Sequence, residues 1–349
     1  MSAIARTDTS LVGRWWWTID RWTLAALGAI IAIGAVLTLA ASPPVAERLG
    51  LDTFHFAKRQ FLFLGLAAAI IFSMSFLSPR GVWRAALGCL AAAMALMVLT
   101  LFIGPEIKGA TRWLLVGPYS VQPSELVKPG FAVVAGWMFA EQRLDGRFPG
   151  YGIATGLFFA ISALLLMQPD VGMTMVVASV WGVQFFIAGL PLVLVAGIGF
   201  GFLIASLGAY FTFGHVQVRV DRFLDPAGGE SYQVSRALEA FYNGGWAGRG
   251  PGEGRVKEFL PDAHADFIFA VAGEEFGLVL CLIMVALFAF VVLRGFSQVL
   301  KSGDLFVLLA VTGLLVQFAV QAMRAMTGRA SQQDDRQHVM LRQLAAARV

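Results

Sequence analysis

Residues 260–277 read LPDAHADFIFAVAGEEFG, where a polar loop gives way to a long apolar run. Pro261 suits a first helical turn, so Asp262 and Asp266, four residues apart, are predicted to share one face of a helix. Glu274 follows Asp266 by eight residues, which places it about 12 Å deeper at a rise of ~1.5 Å per residue. The stretch therefore predicts a ladder of carboxylates that descends from a membrane surface into the bilayer.

The ladder has two interpretations. Ionisable groups inside a membrane span are costly and by default indicate a functional site. Alternatively, Asp262 and Asp266 stabilise a helix N-terminus through the helix dipole, while Glu274 and Glu275 hydrogen-bond to neighbouring helices. The residues alone leave both interpretations open. His264 lies between the two aspartates in sequence but faces elsewhere on a helix, as a polar loop contact would.

The composition places the whole chain in a membrane. Of 349 residues, 58% are hydrophobic and only 14% are charged, and a spanning helix needs about 20 mostly apolar residues. The formal charge of +4 indicates no nucleic-acid role, and Cys89 and Cys281 lie in apolar runs as packing residues. The sequence predicts an all-α polytopic membrane protein with nine spans, at roughly 24–43, 59–78, 83–103, 123–140, 152–167, 171–189, 190–213, 266–293 and 304–323.

The distribution of basic residues predicts a cytoplasmic N-terminus. The first run is too long for a cleaved signal peptide, and with this orientation the short cytoplasmic loops carry more Lys and Arg than the external ones. The predicted organisation is a cytoplasmic segment 1–23, a membrane domain 24–323 with one large external loop at 214–265, and an arginine-rich tail at 324–349.

The long loop carries its own structure. Apolar residues at near-helical spacing between two glycine pairs predict a short helix that lies on or re-enters the membrane surface. The following residues 244–254, GGWAGRGPGEG, are so rich in glycine that irregular backbone is expected. A loop of this length is more often functional than idle.

A second polar group lies in residues 109–130. Glu125 and Lys128 are three residues apart, in reach of each other on one helical face. They form either a buried ion pair or, with Lys128 and Arg112 as cations, a site for an anionic ligand such as a phosphate. A third feature, QPDVG at 168–172, is interpreted as a tight turn whose Asp170 caps the next helix. We find no metal-ligand cluster, phosphate loop or nucleophile elbow in the sequence.

Five motifs occur in the order seen in the SEDS family of cell-wall proteins (shape, elongation, division and sporulation), which the chain resembles over residues 20–323. They are GATRWLLVGPYSVQPSELVK at 109–128, QPDVGMT at 168–174, RVDRFLDP at 219–226, GGWAGRGPGEG at 244–254 and LPDAHADFIFAVAGEEFG at 260–277. The sequences of these motifs are most similar to those of the family's division branch. The resemblance implies a ten-helix bundle and a peptidoglycan glycosyltransferase that polymerises lipid II, the undecaprenyl-diphosphate-linked disaccharide, at the outer face of the bacterial inner membrane, at the septum. It also implies a class B penicillin-binding protein as partner.

The resemblance assigns roles to individual residues. Asp266 matches the family's essential carboxylate, and Glu125 and Lys128 match the polar pair of its Q-P-S-E-L-x-K motif. We expect Asp266 to act as a general base or to bind a divalent cation such as Mg²⁺ that orients the diphosphate. Arg112, Glu125, Lys128, His264 and Glu274 form the predicted substrate-binding group, with Arg112 and Lys128 on the diphosphate and Glu125 holding Lys128.

Two features depart from the family pattern. Ala265 replaces a threonine beside the key aspartate, and the tail at 324–349 lacks the family's P-T-K-G loop, its I-S-Y-G-G-S motif and its tenth helix. A frameshifted or truncated gene end would account for the tail, and if that end is genuine we expect it to impair activity. The alternative functions are a flippase or other transporter of lipid-linked precursors, since broken helices and buried charges also suit transporters, or a non-catalytic scaffold of the division machinery.

Overall fold

The chain is a polytopic helical membrane protein. The computed structural model describes residues 10–48, 50–106, 110–117, 119–189, 230–258 and 267–326, with isolated positions between 193 and 217. Most of the predicted span 190–213, the whole segment 259–266 and the tail from 327 lie outside the described residues, and with them Asp262, His264, Ala265 and Asp266.

Helices account for most of the described chain. Eight of the nine predicted spans coincide with a helix, and one two-stranded hairpin precedes the fourth of these. The elements are α1 (Leu11–Thr18), α2 (Arg21–Arg48), α3 (His55–Met74), α4 (Pro79–Ile103), β1 (Leu114–Val116), β2 (Tyr119–Val121), α5 (Pro123–Leu144), α6 (Gly150–Met167), α7 (Val171–Ile187), α8 (Glu230–Gly244), a single 3₁₀ turn (Val256–Glu258), α9 (Ile268–Val299) and α10 (Leu305–Met326).

Within the described ranges, six helices are long and apolar enough to cross a membrane, namely α2, α3, α4, α6, α9 and α10. The remaining two matches to predicted spans are α7, which has 17 residues, and α5, which carries Glu125 and Lys128 near its start. Helix starts follow local sequence rules: Ser78 caps α4 ahead of Pro79 at its first position, and Asp170 caps α7.

Helix α5 lies at the centre of the bundle, packed against α4, α6, α7 and α10. Val127, Phe131 and Phe139 are each fully buried along it. A side chain at Gly136 would have its Cβ 2.8 Å from the backbone nitrogen of Ala310, so α5 and α10 approach at backbone distance because glycine is there. The amide of Gln184 donates to Ala132 O (2.6 Å) and Leu309 O (2.9 Å), which ties α7 to both helices.

Helix α9 is broken near its start. Gly277 has φ 78° and ψ −178°, a backbone conformation open essentially to glycine alone. The break lets the glycine-rich loop pair with α9: Leu278 and Val279 donate their backbone N–H groups to Gly245 O (2.9 Å) and Trp246 O (3.3 Å). The predicted helix in the long loop is confirmed as α8, which packs on α9.

Candidate functional site

A groove with a cavity volume of about 530 Å³ lies between α2, α3, the hairpin, α9 and α10. We call it the groove. Its wall is mostly apolar, with a few polar side chains contributed by α2, α3 and the hairpin. A space of this size and character suits a ligand with a long apolar part and a small polar part. The residues that line it are Ile30, Gly34, Leu37, Thr38, Phe56, Arg59, Gln60, Phe63, Trp113, Ser120, Ile268, Phe269, Met284, Phe288, Ala322, Ala325 and Met326.

Asp266 comes immediately before this wall in the chain. Ile268 and Phe269, two and three residues later, line the groove, and Phe267 is buried. The first turn of α9 therefore connects the predicted catalytic position directly to the groove. The side-chain contacts of Asp266 and His264 lie outside the described residues, and their roles stay predictions.

Arg59 is a lining cation that sequence reasoning did not select. Its guanidinium lies over the rings of Phe63 (5.7 Å) and Tyr119 (5.9 Å), which joins α3 to the hairpin. Sequence analysis counted Arg59 only as a basic residue of an external loop. The available signal was its place one turn inside an apolar helix, where a charge is costly.

Arg112 is buried against the turn that precedes α7. Its Nε donates to Gln168 O (2.8 Å), its Nη2 donates to Pro169 O, and its Nη1 lies 3.7 Å from Asp170 Oδ2. Asp170 also accepts from the backbone N–H of Met173 (3.1 Å), so its predicted capping role is confirmed. The guanidinium predicted to bind a phosphate thus holds the QPD turn, while its neighbour Trp113 lines the groove.

Lys128 and Glu125 form the ion pair that their spacing predicts, with Nζ 2.7 Å from Oε2. The Lys128 side chain is 1% exposed and that of Glu125 is 44% exposed, so the pair bridges the interior and the surface. Lys128 Nζ also contacts Met173 Sδ at 3.3 Å. The ion pair itself is therefore present, and direct roles of Glu125 and Lys128 in substrate binding stay predictions.

Arg324 adds a further cation to this region. Its Nη1 donates to Gly172 O (3.2 Å), and its positive charge repels that of Lys128. Sequence analysis placed Arg324 in the tail, but α10 continues through Met326 and carries Arg324 against the start of α7. The boundary predicted at 323 therefore falls inside a helix.

Glu274 and Glu275 fasten the glycine-rich loop to α9. Glu274 Oε1 accepts from the backbone N–H of Arg255 (3.0 Å), and its Oε2 accepts from that of Val256 (3.0 Å). Glu275 Oε2 accepts from Gly252 N (2.9 Å), and its Oε1 pairs with Lys257. Of the two interpretations of the ladder, the one in which both glutamates bond to neighbouring helices is corrected in its partners, which in the described structure are residues 252–257.

The loop attachment bears directly on the predicted site. Lys257 reaches further, to Ala40 O on α2 (3.2 Å) and Gly252 O (3.1 Å), and it is buried together with Glu274 and Glu275. The chain is therefore held at 256–257 and again at Phe267, on both sides of the segment that contains Asp266. Substrate binding by Glu274 stays a prediction, since both of its carboxylate oxygens accept loop hydrogen bonds.

The described residues provide no group of three or more His, Cys, Asp or Glu side chains that could hold a metal ion. The two buried carboxylates on α9, Glu274 and Glu275, are already bonded to backbone N–H groups and Lys257. The described side chains thus form no ligand set for Mg²⁺. Cation binding at Asp266 stays a prediction on which no later step depends.

Comparisons with known proteins identify relatives along most of the chain. Residues 21–330 match the family model FtsW/RodA/SpoVE, described as cell cycle protein. The probable peptidoglycan glycosyltransferase FtsW of Caulobacter vibrioides is 45% identical over 323 residues, covering 92% of this chain and 83% of the relative. The probable peptidoglycan glycosyltransferase FtsW of Allochromatium vinosum is 37% identical over 289 residues, covering 78% of this chain and 70% of the relative.

Solved structures support the fold. A chain from a peptidoglycan synthase complex that coordinates polymerization and crosslinking superposes with a TM-score of 0.69 at 24% identity, covering 91% of this chain and 100% of the other. The rod shape determining protein RodA of Thermus thermophilus superposes with a TM-score of 0.57 at 23% identity, covering 91% and 99%. At these identities the likeness concerns the fold alone. The family match over 21–330 and the relatives above 30% identity establish that the chain belongs to the FtsW/RodA/SpoVE family of cell cycle proteins.

Proposed function

We propose that this protein is a peptidoglycan glycosyltransferase that polymerises lipid II. The observation that carries the proposal is the groove. Its wall is apolar enough for a polyprenyl chain, and the part contributed by α9 starts at Ile268, two residues after Asp266. The proposal is supported by the 45% identity, over 92% of the chain, to a relative named as a probable peptidoglycan glycosyltransferase.

The reaction joins two sugars and releases a lipid diphosphate. A sugar 4-hydroxyl attacks the anomeric carbon of the other sugar, a new C–O bond forms, and the bond from that carbon to the diphosphate oxygen breaks. In the proposal the carboxylate of Asp266 takes the hydroxyl proton as general base. The leaving diphosphate keeps the bonding electron pair, so its negative charge must be stabilised in the transition state.

Arg59 is placed to stabilise that charge. Among the described residues that line the groove, Arg59 is the one cation. A low-dielectric wall strengthens its attraction for a diphosphate. Arg112 and Lys128, assigned to the diphosphate from the sequence, have the contacts described above, and Arg112 directly precedes Trp113, which lines the groove. In the proposal they contribute positive charge from behind the wall and keep the QPD turn and the start of α5 in place.

The proposal extends to the cellular setting. We infer that the protein works in the bacterial inner membrane at the division septum, with a cytoplasmic N-terminus and the predicted site at the outer face. This inference is supported by the match to FtsW proteins. A class B penicillin-binding protein is the proposed partner, and the likeness to a chain from a peptidoglycan synthase complex is consistent with it.

A gel assay of lipid II polymerisation tests the proposal. Purified protein is incubated with lipid II, with and without a class B penicillin-binding protein, and glycan ladders are expected. Asp266→Asn should abolish the ladders, whereas Asp262→Asn, the matched change four residues earlier, should leave most of the activity. Full-rate polymerisation by the Asp266 variant would refute the base assignment. Translocation of lipid II in sealed vesicles without glycan ladders would identify a flippase. If neither activity is observed, the non-catalytic scaffold is the remaining alternative.

A further inference from the structure

The ion pair between Asp20 and Arg294 joins the start of α2 to the last turns of α9. Arg294 donates from Nε and Nη2 to the two Asp20 oxygens at 2.6 and 2.7 Å, just before α2 begins and near the end of α9. Such a pair belongs at the polar boundary. Val279 precedes Arg294 by 15 residues, or about 22 Å along the helix. Because the hydrocarbon core is about 30 Å thick, Val279 lies inside it.

The glycine-rich loop reaches that depth. Val279 donates its backbone N–H to Trp246 O at 3.3 Å, and Leu278 donates to Gly245 O at 2.9 Å. The approach requires glycine on both sides, since a Cβ at Gly248 would lie 2.2 Å from Glu275 O and one at Gly277 would lie 2.4 Å from Trp246 O. Irregular backbone is tolerated at membrane depth only when its polar groups are bonded within the protein, and the broken start of α9 supplies partners.

The loop turns large aromatic side chains outward at this level. Trp246 is 72% exposed, and Tyr242, four residues before it in the last turn of α8, is 86% exposed. On α9 the mostly buried stretch ends at Gly277, and exposed apolar residues such as Leu278 and Val279 then alternate with buried ones, Cys281 among them. Trp246 therefore borders the same apolar band by which α9 faces lipid.

A basic residue lies one level above the aromatic pair. Arg249 donates its backbone N–H to Glu274 O at 3.0 Å, and its Nε donates to Asn243 O at 3.3 Å. Glu274 precedes the break at Gly277 and Val279 follows it, so Arg249 is bonded nearer to the loop end of α9 than Trp246 is. Aromatic rings under a basic side chain are the usual arrangement at a membrane interface.

We propose that residues 242–249 form a re-entrant elbow that inserts Tyr242 and Trp246 into the lipid of the leaflet that the long loop enters, with Arg249 beneath the phosphate groups. The elbow anchors the loop that leads to Asp266, and it is independent of the proposed chemistry. Its partner is the acyl and glycerol region of ordinary phospholipid.

Fluorescence quenching in lipid nanodiscs tests the elbow. The Trp246 signal is the emission of the wild-type protein minus that of Trp246→Phe, measured in phosphatidylcholine brominated in the upper acyl chain and, separately, in unbrominated lipid with aqueous iodide. We expect brominated lipid to reduce this signal severalfold and iodide to leave it nearly unchanged. Bromines near the chain ends should quench less.

Trp181 provides the matched control. It is 5% exposed and stacked between Phe158 and Phe185, so the Trp181→Phe difference signal should resist both quenchers. Quenching of Trp246 by iodide would place it in water and overturn the proposal. Resistance of Trp246 to both quenchers would mean that protein covers it, a second copy included, and would overturn the proposal equally. The readout does not depend on enzymatic activity, so it stands apart from the outcome of the polymerisation assay.

Discussion

Substitution of Gly277 by alanine should detach the loop from α9. Gly277 has φ 78° and ψ −178°, a conformation that costs a residue with a Cβ about 1–3 kcal/mol. The new Cβ would also lie 2.4 Å from Gly248 N and Trp246 O, so the loop must move and lose its bonds to Leu278 and Val279. Two such bonds contribute about 1 kcal/mol each. The expected loss of loop attachment is therefore about 3–5 kcal/mol.

Amide hydrogen exchange measures this loss locally. For Gly277→Ala the exchange of the Leu278 and Val279 amides should accelerate roughly a hundredfold or more, since each ~1.4 kcal/mol is a factor of ten, and polymerisation should fall because the segment holding Asp266 loses its support. Gly88→Ala in α4 is the control. A Cβ at Gly88 meets nothing within 4 Å, so this change should be neutral or slightly stabilising. Equal exchange and activity in the two variants would refute the argument.

Three further substitutions test other contacts. Lys257→Met leaves Glu275 buried without its cation and should lower the free energy of unfolding, measured in a denaturant melt, by about 3–5 kcal/mol. The double change Lys257→Met/Glu275→Leu should restore most of that loss. Equal instability of the single and double variants would argue against the pair. Arg294 beside Asp20 holds the pKa of that carboxyl well below its usual range, so the pair stabilises the protein above the ordinary carboxyl pKa and its contribution is lost as the pH falls. Asp20→Asn should therefore lower the melting temperature at neutral pH, with the gap to the wild type closing in acid, and a gap that persists there would contradict the assignment. If positive charge near the groove is needed, Lys128→Ala should slow polymerisation roughly a hundredfold and Lys128→Arg should slow it less. Normal activity in both variants would mean that Lys128 serves only in its structural ion pair with Glu125.

Patterns along one element were sufficient for much of the fold. Apolar runs near the length of a bilayer predicted eight helices that the structure contains, because a membrane requires each span to satisfy its own backbone. The contact of Glu125 with Lys128 followed from their spacing of three, and the cap by Asp170 followed from a polar residue at a helix start. Each of these features depends on neighbours in sequence.

Contacts between distant segments could not be predicted in the same way. Arg112 was selected as a cation for the diphosphate, and only packing shows that its guanidinium is engaged on the turn at 168–170, more than 50 residues away. Arg59 was counted only as a basic loop residue, because its partner Tyr119 on the hairpin and most of the groove wall are remote in sequence. The break at Gly277 was also missed, since a glycine within an apolar run is compatible with an unbroken helix.

The sequence by itself determined that this chain spans a membrane many times, which family it resembles, and that Asp266 is the candidate base. Those conclusions rest on composition, local period and motif, all of which are written along the chain. Tertiary structure decided which charges are available: it placed Arg59 on the groove, used Arg112, Glu274 and Glu275 to hold turns and loops, and drew a glycine-rich loop down to bilayer depth. The physical reason is that a buried charge or backbone group must find a partner, and which partner it finds depends on segments that only packing brings together.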